Sequence, residues 1–218
     1  LVDTEKKSKN LDKNKSINIE RVVRENIHSS YIFYYKANDL TVDAAENFLK
    51  SYFREDIRNI GGKNILVVGL GNIGFKLSLK LVESGANVFA YSRNKKKLKD
   101  KINIINLVKP SGSKSKCQFY NIKGSKFLKF DIIIGCGNSN SIIKKFENKN
   151  IKKDVLIIDI GKGLFSKSGL NQLNKNKIIV YRLDVTSSYN MLLENLLSLH
   201  YETVKKNYKI KKIKNLTF

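Results

Sequence analysis

The sequence is poor in the residues that mark several protein classes. Proline occurs once, at Pro110, and tryptophan not at all. The two cysteines, Cys117 and Cys136, stand alone rather than in a CxxC pair. They therefore write no zinc or redox motif, and two lone thiols in a lysine-rich chain suit a reducing cytoplasm. Histidine is limited to His28 and His200, and no metal site is expected. The longest apolar runs have strand length, well short of the ~20 residues of a membrane span, so no membrane partner is expected. The opening LVDTEKKSKN holds no hydrophobic signal core. The chain begins on Leu1 rather than Met and ends on the apolar IKNLTF. Both ends suggest a piece of a longer protein.

Acidic residues are also scarce. Asp and Glu total 19 against 42 Lys and Arg, a formal charge of +23. Alone, that balance points to a polyanionic partner. The arginines, however, are only Arg21, Arg24, Arg54, Arg58, Arg93 and Arg182. Specific readers of phosphate and base edges favour arginine for its two-pronged fork. The lysines are spread along the chain, and no RNA-binding signature with interleaved aromatics is present. Heavy use of Lys, Asn and Ile also fits an AT-rich coding sequence. Nucleic acid is therefore not expected as the main partner.

What remains is enough chain for one good domain with added structure. Residues 1–16 are polar and lysine-rich and read as a displaced or disordered segment. Ser16 to Tyr35 holds one or two short elements. The spacing of Val42, Ala45, Phe48, Leu49 and Phe53 predicts a helix over Leu40 to Asp56, with Thr41 as its N-cap. From Lys63 the pattern becomes strand, helix, strand. Ile65 to Val68 is a continuous apolar run, as in a parallel strand buried on both faces. A helix over Phe75 to Glu83 is stopped by Gly85, and Asn87 to Tyr91 is the second strand. Lys95 to Lys101 is a short solvated helix, and either Ile104 to Val108 or Cys117 to Tyr120 is the third strand. Further strands are expected within Phe130 to Asn140, Val155 to Gly163 and Asn176 to Val185. A helix is expected over Ser141 to Asn148 and a long one over Ser187 to Lys209. Short apolar strands alternating with helices mean an α/β, doubly wound, mostly parallel sheet, with a preceding helix and a long C-terminal one. The expected organisation is a basic N-terminal segment over 1–38, a nucleotide-binding domain over 39–186, and a C-terminal helix with the start of a further element over 187–218.

The chemistry concentrates in Gly69-Leu70-Gly71-Asn72-Ile73-Gly74. A bare GxGxxG is a weak signal. This one has an apolar strand before it, a helix after it and a second strand at the right distance. Gly69 permits the tight turn, Gly71 lets a pyrophosphate approach the backbone, and Gly74 lets the helix pack close to the strand. With Asn72 and Ile73 at the helix start, the unpaired N–H groups there offer a site for phosphate. The end of the second strand distinguishes the coenzymes. An NAD site places a carboxylate there for the ribose hydroxyls. Here the residues are Tyr91-Ser92-Arg93-Asn94-Lys95-Lys96-Lys97. Ser92 and Arg93 suit a 2′-phosphate, which a carboxylate would repel, so NADP is preferred over NAD.

Through these motifs the chain resembles the NAD(P)-binding Rossmann domain of the amino-acid-dehydrogenase-like superfamily. That group includes shikimate dehydrogenases, methylene-tetrahydrofolate dehydrogenases and glutamyl-tRNA reductases. The resemblance runs through TVDAAENFLKSYF, GGKNILVVGLGNIG, Ser92-Arg93, DIIIGCGNS and LIIDIGKG. It implies that the loops after the fourth and fifth strands flank a nicotinamide, which assigns Cys136, Gly137, Asn138 and Gly161 to the coenzyme pocket. Lys162, Asp184 and Cys136 are the candidates for a catalytic group. A small buried thiol is the plainer role for Cys136, a surface lysine for Lys162, and helix capping for Asp184. Members of that group carry a substrate domain before the coenzyme domain, and here only about 40 residues precede Thr41, below the usual domain size.

Three functions fit. One is a cytoplasmic, NADP-preferring oxidoreductase that transfers hydride on a small polar substrate, with a homo-oligomer possible. The second is a non-catalytic nucleotide-binding regulatory or assembly module of a larger protein. The third is a basic nucleic-acid-associated protein.

Overall fold

The computed structural model describes residues 1–5, 7–9, 16–122, 127, 129–137, 151–204, 212–213 and 216–217. In chain order the elements are β1 (Val2–Asp3), β2 (Lys7–Lys9), β3 (Ser16–Asn18), α1 (Ile19–Asn26), β4 (Tyr34–Tyr35) and α2 (Ala37–Tyr52). There follow β5 (Asn64–Val68), α3 (Asn72–Glu83), β6 (Asn87–Tyr91), α4 (Lys95–Val108), β7 (Cys117–Phe119) and β8 (Ile132–Gly135). The last are β9 (Leu156–Asp159), α5 (Lys167–Lys175), β10 (Val180–Arg182), α6 (Thr186–Val204), β11 (Lys212–Ile213) and β12 (Leu216–Thr217). Two compact units result: Thr41–Asp184 is one, and Leu1–Leu40 with Val185–Phe218 is the other.

The larger unit is built on a six-stranded parallel sheet in the order β10-β9-β8-β5-β6-β7. The chain starts at the centre, walks out through β6 to β7, then crosses back to β8 on the other side of β5. This is a doubly wound Rossmann fold, and its order reverses between β5 and β8. Ile65 to Val68 and Ile132 to Ile134 are fully buried, as strands covered on both faces must be. One face carries Leu77, Leu81, Leu98 and Ile105 from α3 and α4, with Val42, Ala45 and Leu49 from α2. The other carries Phe130, Leu164, Phe165 and Leu173.

Polar contacts fix the register at the amino ends of the strands. Asp131 accepts the Asn64 N–H at 2.8 Å and the Lys152 ammonium at 2.6 Å, tying the entry of β8 to that of β5. Glu46 of α2 accepts from Lys50 and from Lys80 of α3, both at 2.6 Å. At the edge, Lys116 and Tyr120 bond to β6, through Val88 N–H to Lys116 O at 3.0 Å and Tyr120 N–H to Ala90 O at 2.9 Å. The N–H and C=O of Cys117 face outward instead. The Asn106 side chain takes both, accepting from Cys117 N at 2.9 Å and donating to Cys117 O at 2.8 Å.

Several expectations are corrected. The helix expected from Leu40 begins at Ala37, so Thr41 is an interior residue rather than the N-cap. Its first turn is held by carboxylates far away in sequence: Asp3 accepts from Ala37 N at 3.3 Å and Glu5 from Asn38 N at 2.7 Å. Val2 of the segment read as displaced is buried, and β1 pairs in parallel with β4. Ile104 to Val108 is not a strand. It continues α4, because Leu98, Ile102 and Ile105 share one buried face at helical spacing; the third strand is β7. Helix α5 falls where the sequence pattern predicts no element; Ser166 caps it, accepting from Gly169 N at 3.1 Å. The helix expected over Ser141 to Asn148 lies outside the described residues.

In the smaller unit, His200 of α6 packs edge-on against Tyr31 and Phe33, with ring centroids 4.1 and 5.5 Å away. This is an aromatic packing role.

Candidate functional site

The carboxyl ends of β5 and β8 form the switch point, and the glycine motif lies across it. Pairing runs one residue past β5 on both sides, with Gly69 N–H to Tyr91 O and Cys136 N–H to Val68 O, each 2.8 Å. The chain then turns sharply at Gly69, whose φ of +99° disfavours any side chain. Gly69 is also wedged: a Cβ there would lie 2.6 Å from Gly137 N. Gly74 is packed as tightly, since its Cβ would lie 2.1 Å from Gly69 O and 3.2 Å from the Cys136 Cβ. These two glycines are explained by the protein's own backbone.

Gly71 differs. It is the N-cap of α3, no side chain among the described residues caps that helix, and a Cβ on Gly71 would meet nothing within 4 Å. The first turn, with Asn72 and Ile73, therefore presents N–H groups that no described residue pairs, and the positive end of the helix dipole, beside open space. That combination is an anion cradle.

The end of β6 supplies a second positive region. Ser92 is half-buried and Arg93 exposed, and no described residue pairs with the Arg93 guanidinium. Asn94 caps α4, accepting from Lys97 N at 3.0 Å. The first turn of α4 contains Lys95, Lys96 and Lys97 and no acidic residue. Cations at a helix N-terminus oppose the dipole, so this turn is electrostatically unfavourable until an anion reaches it.

Across the switch point, the turn after β9 is pressed against the one after β8. A Cβ on Gly161 would lie 2.1 Å from Gly137 O. Asp159, buried at the end of β9, accepts from Gly163 N at 3.1 Å and Leu164 N at 3.4 Å and so clamps its own loop. Lys162 sits on that loop at φ +59° and is exposed. Cys136 is half-buried, one residue past the end of β8. Burial first, and the neighbouring Asp159 carboxylate second, push its thiol up to about 12. A thiol held there is protonated at neutral pH and is a poor nucleophile.

The structure thus brings Gly69, Gly71, Asn72, Ile73, Gly74, Cys136, Gly137 and Gly161 to one end of the sheet, with Ser92 and Arg93 at the next strand. Asp184 stands apart, exposed and beyond the end of β10. Asn138 lies outside the described residues. Sequence reasoning missed two participants. Asp159 was visible only as part of a strand pattern. Lys101 of α4, whose ammonium donates to Leu70 O at 2.6 Å, lies 31 positions from its acceptor and carries no local signal.

No protein-family model and no curated protein sequence matches the chain. Solved structures do share the fold. One of the dipicolinate synthase polypeptides of Bacillus halodurans aligns over 88% of this chain and 74% of its own, with a TM-score of 0.51 and 17% identity. L-tryptophan dehydrogenase from Nostoc punctiforme aligns over 75% and 45%, with a TM-score of 0.50 and 16% identity. Shikimate dehydrogenase from Aquifex aeolicus aligns over 68% and 50%, with a TM-score of 0.44 and 23% identity. The chain thus spans about half the length of the two dehydrogenases and three quarters of the synthase polypeptide. With the first two of these structures it shares a Rossmann fold. No helix among the described residues is long and apolar enough to cross a membrane.

Proposed function

We propose that the chain binds a nicotinamide dinucleotide at the β5–β8 switch point, with NADP preferred, and forms the coenzyme-holding part of an oxidoreductase. The carrying observation is the uncapped start of α3, open at Gly71, where main-chain N–H groups suit a diphosphate. The coenzyme preference is supported by the end of β6, where Arg93 and three lysines gather and no carboxylate stands to repel a 2′-phosphate. The bound coenzyme would supply hydride chemistry toward a small polar substrate. The residues of this chain would bind and orient it: Gly71, Asn72 and Ile73 at the diphosphate, Ser92 and Arg93 at the 2′-phosphate, and the Gly137 and Gly161 turns at the nicotinamide end.

A second reading, a nucleotide-binding module without its own turnover, is favoured by one observation. Among the described residues of the cleft, the Cys136 thiol is held protonated and Asp159 is occupied with its loop. Neither is placed to act as base or nucleophile.

The test is Arg93→Asp with calorimetric titration of both coenzymes. Losing a charge-assisted bond to the 2′-phosphate costs about 1.5–3 kcal/mol, roughly one to two decades of affinity. NADP binding should weaken by at least that amount, because the new carboxylate also repels the 2′-phosphate, while NAD binding should hold or tighten. Equal effects on both would remove the phosphate clamp from the proposal. Turnover assays of the coenzyme-loaded protein on small polar substrates separate the enzyme from the module.

A further inference from the structure

The geometry points to Lys101 as a positioning residue that sets the direction of the phosphate-facing amide of Gly71. This rests on the dinucleotide reading above and adds a residue to it.

Lys101 lies in α4, a separate helix from the one that follows the glycine turn. Its half-buried ammonium donates to Leu70 O at 2.6 Å and lies 5.9 Å from the centre of the Phe75 ring. Leu70 is itself buried. The Leu70–Gly71 peptide is trans, so its C=O and N–H point in opposite directions. Holding the oxygen on the Lys101 side turns the Gly71 N–H the other way, and the space beside Gly71 is open.

This peptide needs holding. It joins Leu70 to the N-cap glycine, which has no side chain to resist rotation of the plane and no neighbour within 4 Å of its Cβ position. A flip would exchange the N–H for a carbonyl oxygen, turning an attractive contact with an anion into a repulsive one. A charge-assisted bond to the oxygen opposes the flip, and it also polarises the N–H at the other end of the same peptide. The cation thus acts through the main chain.

The test uses the whole chain with Lys101→Met and Lys101→Arg. Lys101→Met keeps the stem but removes the donor. It should weaken NADP and NAD binding alike, on the order of tenfold, because the diphosphate is common to both. Lys101→Arg should restore most of the affinity. Without any coenzyme, Lys101→Met should also move the amide nitrogen resonance of Gly71, because the donor to the carbonyl of the same peptide is gone, while the equal loss for both coenzymes and the rescue by arginine mark the positioning role. Wild-type affinity in Lys101→Met, or an unmoved Gly71 resonance, would overturn the assignment. If the wild type binds neither coenzyme, the dinucleotide reading fails, while the Gly71 resonance still reports on the hold of Lys101. Should Lys101→Met not fold, the wild type decides: on saturation with a coenzyme shown to bind, the Gly71 amide proton must shift downfield, and a stationary one refutes the inference.

Discussion

Gly71 and Gly74 lie three positions apart in one motif, yet the structure predicts opposite consequences for replacing them. A methyl group on Gly74 would overlap Gly69 O at 2.1 Å. Both atoms belong to or hang directly from the backbone, so α3 must lift off the sheet. Overpacking of this kind costs up to about 3 kcal/mol, and alanine recovers at most about 1 kcal/mol of helix propensity over glycine. The net loss for Gly74→Ala is about 2 kcal/mol, which lowers the melting temperature by roughly 4–8 °C in a domain of this size. Gly71 has φ −73° and ψ −155°, an extended conformation open to valine, and no neighbour within reach of a Cβ. Gly71→Val should therefore change stability by less than about 1 kcal/mol. It should nevertheless lower affinity for both nicotinamide coenzymes by about tenfold or more, because the branched side chain holds a phosphate away from the N–H groups. Thermal melts paired with calorimetric titrations measure both quantities on both variants. The reasoning is refuted if Gly71→Val binds as the wild type does, or if it melts as low as Gly74→Ala.

The other expectations concern charge and thiols. Burial alone would raise the Glu46 carboxyl, but hydrogen bonds from Lys50 and Lys80 outweigh it and hold the group below its ordinary range. Its stabilisation is then present above the ordinary carboxylate range and lost as pH falls through the lowered value, so Glu46→Gln should flatten the acid limb of a stability–pH profile; an unchanged limb would remove the role of this cluster. Burial also pushes the Cys117 thiol up to about 12, alongside Cys136. A thiol reagent at pH 8 should label neither cysteine in the folded protein and both after denaturation; rapid labelling of Cys136 in the native state would contradict its protonated placement.

The parts of this fold that were legible in the sequence are those written by local pattern. Ile65 to Val68 announces a strand buried on two faces, the glycine spacing announces the turn, and Asn87 to Tyr91 alternates into the core. The same is true of Ser92 and Arg93, whose place at the end of β6 follows from counting. What failed locally was set by partners distant in the chain. The start of α2 depends on Asp3 and Glu5, and that cap moved the boundary away from Thr41. Ile104 to Val108 is apolar at every position but Asn106 and so passes for a short buried strand, and only the face that Ile105 shares with Leu98 and Ile102 makes it helix. The glycine spacing assigns the turn to Gly69, the open approach to Gly71 and the close packing to Gly74, but not the atoms that enforce those roles. The crowding of Gly69 and Gly74 against the main chain, and the open space beside Gly71, exist only once β8 is laid next to β5.

The outward face of β7 has a consequence for how this chain keeps company with copies of itself. An edge strand offers its unpaired main-chain groups to any other extended segment, and a lysine-rich sequence repels such visitors only while salt is low. Here the first outward-facing position on β7 is taken by the carboxamide of Asn106, which engages the peptide groups of Cys117 much as another strand would. Salt does not weaken that plug, so the start of this edge stays shut to strand-by-strand growth even where charge repulsion fades.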